Sequence, residues 1–220
     1  MANHTPIIAV LTGDLVRSRE AETETVDRAM RILAAIADDL TDIAGADTRF
    51  TRFRGDGWQL VLREPRAVLR ACLVIVAKLR ASGLGVDTRV SVGLGRQSSI
   101  GTANLSDATG PAFFISGHQL DSAPKRRRLL IAGGGERDQT WQTALFDLIE
   151  HQVSSWTQLQ AEAVAIALSD GQKTMTQADI ARDLTVTRQA VQIRLSGAGY
   201  WALENALATF ESFEWENPHA

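Results

Sequence analysis

The period of the apolar positions changes several times along the chain, and each change marks an element. Ile7 to Leu11 is a continuous apolar run that stops at Thr12-Gly13-Asp14, which predicts a short buried strand ending at a loop. Val26, Met30, Leu33, Ala34, Ala37, Leu40 and Ile43 then recur at helical spacing with charged residues between them, predicting a long helix with one apolar face. From Phe50 to Leu62 the residues alternate, break at Arg54-Gly-Asp-Gly57 and resume, which predicts a β-hairpin with Asp-Gly as its turn signal. Pro65 opens a second helix carrying Val68, Leu69, Cys72, Ile75, Val76 and Leu79, terminated near Ser82-Gly83 and Gly85, and Thr88 to Leu94 is the next strand.

The order βαββαβ is the split βαβ arrangement. The expected fold is therefore α/β (α+β), a ferredoxin-like βαββαβ domain whose first strand lies between partners and whose two helices cover one face. Gln97 to Gly110, rich in Ser, Gly, Thr, Asn and Asp, reads as a loop, Ala112 to Asp121 as a short helix, and Arg128 to Ala132 as a last strand. Thr140 to Trp156 reads as a helix after the Gly133-Gly-Gly135 break.

From Trp156 the pattern changes. Leu159, Ala163, Ile166 and Ala167 mark a helix and Asp170-Gly171 a break; two short helices follow, with Thr176 and Thr187 as N-caps and Asp179 three residues after the first. Ile180, Ala181, Leu184, Val186, Ala190, Val191 and Leu195 have the spacing of two helices crossing at a tight turn, a helix-turn-helix pattern. Trp201, Leu203, Ala206, Leu207, Phe210 and Phe213 form a last amphipathic helix, suited to packing on that module or on a second copy. The expected organisation is a first domain over 1–137, a connecting helix over 138–155 and a helix-turn-helix domain over 156–220.

The 220 residues are 45% hydrophobic and 22% charged, enough to bury a sizeable core. A formal net charge of −3 gives no general attraction to nucleic acid or anionic membranes, so such binding has to come from a local patch. The residues from Trp156 onward hold four basic side chains and eight acidic ones, which weakens a DNA-binding reading of the tail unless it is dimeric. The single cysteine, Cys72, sits in the apolar run Ala71 to Ala77 and excludes an intrachain disulfide or a cysteine–zinc cluster. With no basic leader, no signal-type apolar core and no apolar span of about 18 to 20 residues, no membrane association is expected and the expected location is the cytoplasm.

In the split βαβ order the first and second strands are parallel, with the third antiparallel between them. The end of the first strand and the hairpin turn then share one sheet edge, and Asp14 and Asp56 meet there. Two carboxylates from neighbouring strands suit Mg²⁺, a hard ion that completes its shell with water and phosphate oxygens, and a nucleoside triphosphate is the natural third party. The backbone N–H groups of Leu15, Val16, Arg17 and Ser18 are expected to hold its phosphates, with Arg17 or Arg19 adding charge. Lys125-Arg-Arg-Arg128 is the strong basic run; Lys125 and Arg126 are candidates to steer the triphosphate in, against the alternative of a solvated strand edge. Taken singly, Asp-Gly is a common hairpin turn and an Asp after a strand a common cap, so it is the joint placement that points to a site. On the tail, Thr187, Arg188, Gln189, Gln192 and Arg194 are the candidates for DNA contact.

Thr12-Gly-Asp-Leu-Val-Arg-Ser18, Arg52-Phe-Arg-Gly-Asp-Gly57 and Arg89-Val-Ser-Val-Gly-Leu-Gly95 resemble the palm domain of class III nucleotide cyclases. Gly13-Asp14, Arg54-Gly-Asp56, Val92-Gly-Leu-Gly95, Gly110-Pro-Ala-Phe113, Ser116-Gly-His-Gln-Leu-Asp121 and Trp156-Thr-Gln-Leu-Gln-Ala161 resemble the pattern of the SatD-like family over nearly the whole chain. The cyclase resemblance implies that Asp14 and Asp56 bind the metals, that Arg52 contributes to base recognition, and that the site lies at a homodimer interface. It also implies an Asn and an Arg near Phe114 to Leu120, where this chain has Phe-Ile-Ser-Gly-His-Gln-Leu. Without that Arg a site can bind nucleotide, yet it lacks a major source of stabilisation for the transferring phosphoryl group. His118 is the candidate replacement acid or phosphate contact, against the plainer reading of a hydrogen-bonded helix residue.

The expectation is a nucleotide-sensing regulatory protein that binds a purine nucleoside triphosphate with Mg²⁺, and DNA through its tail. Two alternatives stay open: a metal-dependent nucleotidyl cyclase or transferase that makes a nucleotide signal, and a non-catalytic scaffold with a protein-docking tail.

Overall fold

In the computed structural model, which describes residues 6–44, 48–53, 55–101, 104–134, 140–169 and 175–215, the strands form one mixed sheet in the order β2-β3-β1-β4-β5. Arg54, Gly135, Asp170 and Gly171, used in the sequence reading, lie outside the described residues. β1 (Ile7–Val16) is central, antiparallel to β3 (Gly57–Leu62) on one side and to β4 (Asp87–Arg96) on the other. β2 (Arg49–Arg52) extends the β3 side, and β5 (Leu129–Gly133) runs parallel to β4 at the far edge. This is the expected βαββαβ order with one strand added.

β1 is longer than its apolar run. Thr12-Gly13-Asp14 is strand, with Asp14 opposite Gly57 on β3 and Arg89 on β4. Ala9, Leu11 and Leu15 join the main apolar core, and at Gly13 the indole of Trp58 takes the place of a side chain: a Cβ there would sit 2.4 Å from the ring. The glycine that reads as loop punctuation is thus a close-approach site in a buried strand. The hairpin turn shifts as well, since Gly55 takes the left-handed φ of 73° while Gly57 already belongs to β3.

α1 (Thr23–Ala44) and α2 (Val68–Ala81) pack with the sheet into this core. α1 buries Met30, Leu33, Ala37 and Leu40, as its spacing predicts. α2 is buried nearly all round because α5 (Gln158–Ala167) packs on it as well. α3 (Pro111–Ser122) covers the other face, against β1, β4 and β5. Its approach depends on the glycines of Val92-Gly-Leu-Gly95: a Cβ on Gly93 would lie 2.2 Å from the Ala112 carbonyl oxygen. Several side chains between α3 and the strands are polar and satisfy one another. The Thr12 and Ser116 hydroxyls are 2.8 Å apart, Gln59 donates to Thr12 at 3.0 Å, and Ser91 donates to Gln119 at 2.9 Å.

α4 (Thr140–Ser154), α6 (Gln177–Asp183), α7 (Arg188–Gly197) and α8 (Tyr200–Ser212) complete the chain, and one cluster of buried residues runs from Ala9 to Phe210 across sheet and tail. Thr176 and Asp179 form the expected reciprocal cap on α6, Thr187 caps α7, and Thr185 between them takes a left-handed φ of 55°. Trp141 of α4 meets Phe210 and Phe213 at the end of α8, with ring centres 6.0 and 5.1 Å away. Among the described residues no helix is long and apolar enough to cross a membrane.

Candidate functional site

β1 and β4 reach the end of their pairing at Val16 and Asp87, and the chain then turns through Arg17–Glu20 before α1. Arg17 takes a left-handed φ of 64°, and the N–H groups of Glu20 and Ala21 close the turn on the carbonyls of Arg17 and Ser18 at 3.1 and 3.3 Å. This turn, the end of β1, Arg89, Asp56 of the hairpin and the segment before β5 surround a cleft of about 350 Å³. Its lining carries Asp14, Glu20 and Asp56 against Arg17, Arg19, Arg89, Lys125 and Arg128. A local surplus of cations therefore exists in a chain whose net charge is −3.

Asp14 and Asp56 line the same cleft, and each already has a partner. Asp14 accepts from Arg89 in a two-pronged pair, from Nε at 2.9 Å and from Nη2 at 3.1 Å, and Arg89 Nη2 also donates to the Leu120 carbonyl of α3 at 3.0 Å. The Arg89 side chain is 8% exposed and that of Asp14 36%, so the cation is the buried member and the carboxylate the wet one. Asp56 accepts from the Ser18 hydroxyl, and its backbone carbonyl takes the Leu15 N–H at 3.1 Å. These links fasten the Arg17–Glu20 turn, the hairpin and β4 to one another.

An ionised carboxyl group offers about four lone-pair sites, so both carboxylates keep acceptor capacity beyond these bonds. Among the described residues no group of three or more His, Cys, Asp or Glu side chains is arranged to hold a metal ion. The donor set is two hard oxygen ligands with an internal cation against one of them. That set fits Mg²⁺ carrying most of its shell as water and phosphate oxygens, and does not fit an ion caged by protein alone.

The other sequence candidates divide. Leu15, Val16, Arg17 and Ser18 all line the cleft, but the Leu15 N–H is committed to Asp56 and Val16 is ladder residue opposite Asp87. The phosphate-binding backbone expected from Leu15 onward is thereby shortened to the turn itself. Lys125 lines the cleft together with Arg128, whereas Arg126 does not, and Arg127 turns to α4, pairing with Asp147 and, at 3.2 Å, with Glu150. The chain entering β5 splits its basic run between two directions. Arg52 is outside the cleft lining, tied to Asp27 of α1 at 2.7 Å and to the Gly55 carbonyl at 3.1 Å.

His118 lies on the exposed side of α3, stacked on Phe114 with ring centres 5.6 Å apart, and is not part of the cleft. On α7, the Thr187 hydroxyl is committed to the helix cap, accepting from the Ala190 N–H at 3.1 Å. Arg194 is held by Glu162 of α5 at 3.2 Å, while Arg188, Gln189 and Gln192 are exposed. Arg89 is the residue whose role the sequence reading lacks. Its signal lies in the alternation of Arg89, Ser91, Gly93 and Gly95 with Val90, Val92 and Leu94, which gives β4 one apolar face and one polar face closed over by a helix.

No family model matches this chain, and no curated protein matches it. Among solved structures it is similar to the guanylyl cyclase Cya2, at 15% identity and a TM-score of 0.36, over 55% of this chain and 72% of that one. That similarity is one of chain path over part of the molecule and says nothing of activity.

Proposed function

We propose that this protein is a nucleotide sensor: the cleft at the end of β1 takes a purine nucleoside triphosphate with Mg²⁺, and the helical tail presents the response. The observation that carries this reading is the lining of the cleft, where carboxylates from a strand end and a neighbouring turn sit among Arg17, Arg19, Lys125 and Arg128. Among the described residues Arg17, Arg19 and Lys125 have no ion-pair partner, so their charge is available to an anion. Asp14 and Asp56 are the residues that would hold the metal, which would supply positive charge to offset that of the phosphates. The purine preference follows from the cyclase resemblance alone, and Arg52, tied to Asp27, leaves base recognition to other residues.

Turnover would need an acid or base and a further cation at the transferring phosphoryl group. His118, the candidate acid, lies outside the cleft, and binding is the reading we take.

Arg80 supports a link from cleft to tail. It donates to Asp87, the β4 residue opposite Val16, at 2.9 Å, and to the Val153 carbonyl near the end of α4. Gln152 and Trp156 in turn donate to the Ala198 carbonyl that ends α7, each at 3.0 Å. DNA contact by α7 rests on Arg188, Gln189 and Gln192, a face with one cation, so such binding is expected to be weak and strongly salt-dependent. Ile193, 67% exposed on the same helix, favours a protein partner as the second reading of the tail.

Equilibrium binding of ATP and GTP at millimolar concentration, with and without Mg²⁺, tests the reading. Saturable Mg²⁺-dependent binding is expected, weakened about tenfold in Lys125→Ala/Arg128→Ala, the equivalent of roughly 1.4 kcal/mol. Absence of binding by either nucleotide overturns it and leaves the scaffold reading.

A further inference from the structure

Arg89 is what distinguishes Asp14 from an ordinary strand-end carboxylate. Its guanidinium gives Nε and Nη2 to the two oxygens of Asp14 and, through Nη2 again, holds the Leu120 carbonyl of α3. At 8% exposure it has little access to water, and an arginine does not shed its charge in a folded protein. The charge of Asp14 is thus balanced from within the fold, whereas Asp56 has no ion-pair partner among the described residues. Around them stand Arg17, Arg19, Lys125 and Arg128, with Glu20 as the one further carboxylate of the lining. A bare divalent cation entering this cleft meets more positive charge than negative, whereas a metal ion carried on a polyphosphate brings the missing negative charge with it.

We infer that Arg89 is a positioning residue that bars free divalent metal from the cleft and admits it only as a metal–polyphosphate complex. This rests on the reading of the cleft as a Mg²⁺–triphosphate site. The geometry acts in two ways. The two-pronged bond occupies one lone pair on each Asp14 oxygen and fixes the plane of the carboxylate, so Asp14 offers an outward lone pair to a metal and no chelating edge. The buried charge also repels any ion that arrives without anions of its own. A cleft built this way reports the nucleotide and ignores the free metal around it.

Mn²⁺ is the probe, because the paramagnetic signal of the free ion counts bound metal without any activity. Wild type, Arg89→Lys and Arg89→Met are titrated with Mn²⁺ alone and then with Mn²⁺ and a non-hydrolysable triphosphate together. Wild type and Arg89→Lys are expected to show no saturable Mn²⁺ site until the triphosphate is added. Arg89→Met is expected to show a saturable site for Mn²⁺ alone, at least about tenfold tighter than the weakest binding the titration of wild type can exclude, the scale of one removed charge near the site, and Asp56→Asn in that background to abolish the gain. Folded Arg89→Met that binds Mn²⁺ no better than wild type overturns the inference. If Arg89→Met does not fold, wild type decides: tight binding of Mn²⁺ alone overturns the inference, and binding only with triphosphate supports it. The nucleotide reading fails separately, by wild type binding no triphosphate, and a gain of Mn²⁺ binding in Arg89→Met would still identify Arg89 as the barrier to metal.

Discussion

The cleft at the end of β1 and the exposed face of α7 both look like places for a polyanion in the sequence, and the structure separates them. The cleft gathers side chains from the end of β1, the turn after it, the hairpin, β4 and the segment before β5, and Arg17, Arg19 and Lys125 reach it without ion-pair partners among the described residues. α7 gathers only what its own residues carry, and one of its two arginines, Arg194, is held by Glu162. Topology brings charge together from distant segments, while a single helix face does not. A count of basic residues overstates the charge a surface can offer, because packing assigns some of it to internal partners.

The sharpest way to test that contrast is to compare the two carboxylates of the cleft. Asp14→Asn leaves the buried Arg89 with a weaker partner, and should cost about 2 kcal/mol, or roughly 4 to 8 °C in melting temperature for a chain of this size. Asp56→Asn, whose carboxylate among the described residues accepts only from Ser18, should stay within about 0.5 kcal/mol of wild type in chemical denaturation. Equal stability of the two variants would mean that Asp14 does not serve Arg89.

On α7 the expectation is reversed from function to packing. Arg194→Ala should lower stability by about 1 kcal/mol by loosening α7 from α5, whereas Arg188→Ala should leave stability unchanged and, if duplex DNA binds at all, flatten its salt dependence by about one unit of slope. A loss of DNA affinity in Arg194→Ala at unchanged stability would return Arg194 to the binding surface.

The smallest effect concerns acid. Hydrogen bonds from the Thr176 side chain, then from its backbone, hold the Asp179 carboxyl below the usual carboxylate range. A carboxyl group lowered in this way supports the cap at pH above its unfolded value, and the support fades as pH falls through the lower folded value. Amide exchange at the start of α6 should accelerate in that acid range, and Asp179→Asn should remove the pH dependence while leaving the cleft untouched.

Much of the fold was legible because it follows from periodicity. The alternating and helical stripes predict the element order, the split βαβ order puts β1 between partners, and Thr176, Asp179 and Thr187 predict their caps. The site was legible where topology alone decides, in the convergence of Asp14 and Asp56 on one cleft. What escaped depends on tertiary partners. Gly13 reads as a loop until Trp58 is seen to lie on it. The Leu15 N–H reads as a phosphate donor until Asp56 claims it, and Arg52, a base contact by the cyclase resemblance, pairs with Asp27 outside the cleft lining. Arg89 shows the same limit, since a charged residue in a strand announces a partner without naming it. Cys72 is the converse case: an apolar run predicts burial, and burial pushes its thiol up to about 12 with no site attached.

The proposed nucleotide site is tested most directly by the melting temperature of wild type and Asp56→Asn with ATP or GTP, each with and without Mg²⁺. A ligand that binds only the native state raises stability by about 1.4 kcal/mol at ten times its Kd, or roughly 3 to 6 °C here. A Mg²⁺-dependent rise of that order in wild type, absent in Asp56→Asn, is the predicted result. A wild-type melting temperature that neither nucleotide moves, or an equal rise in Asp56→Asn, would contradict it.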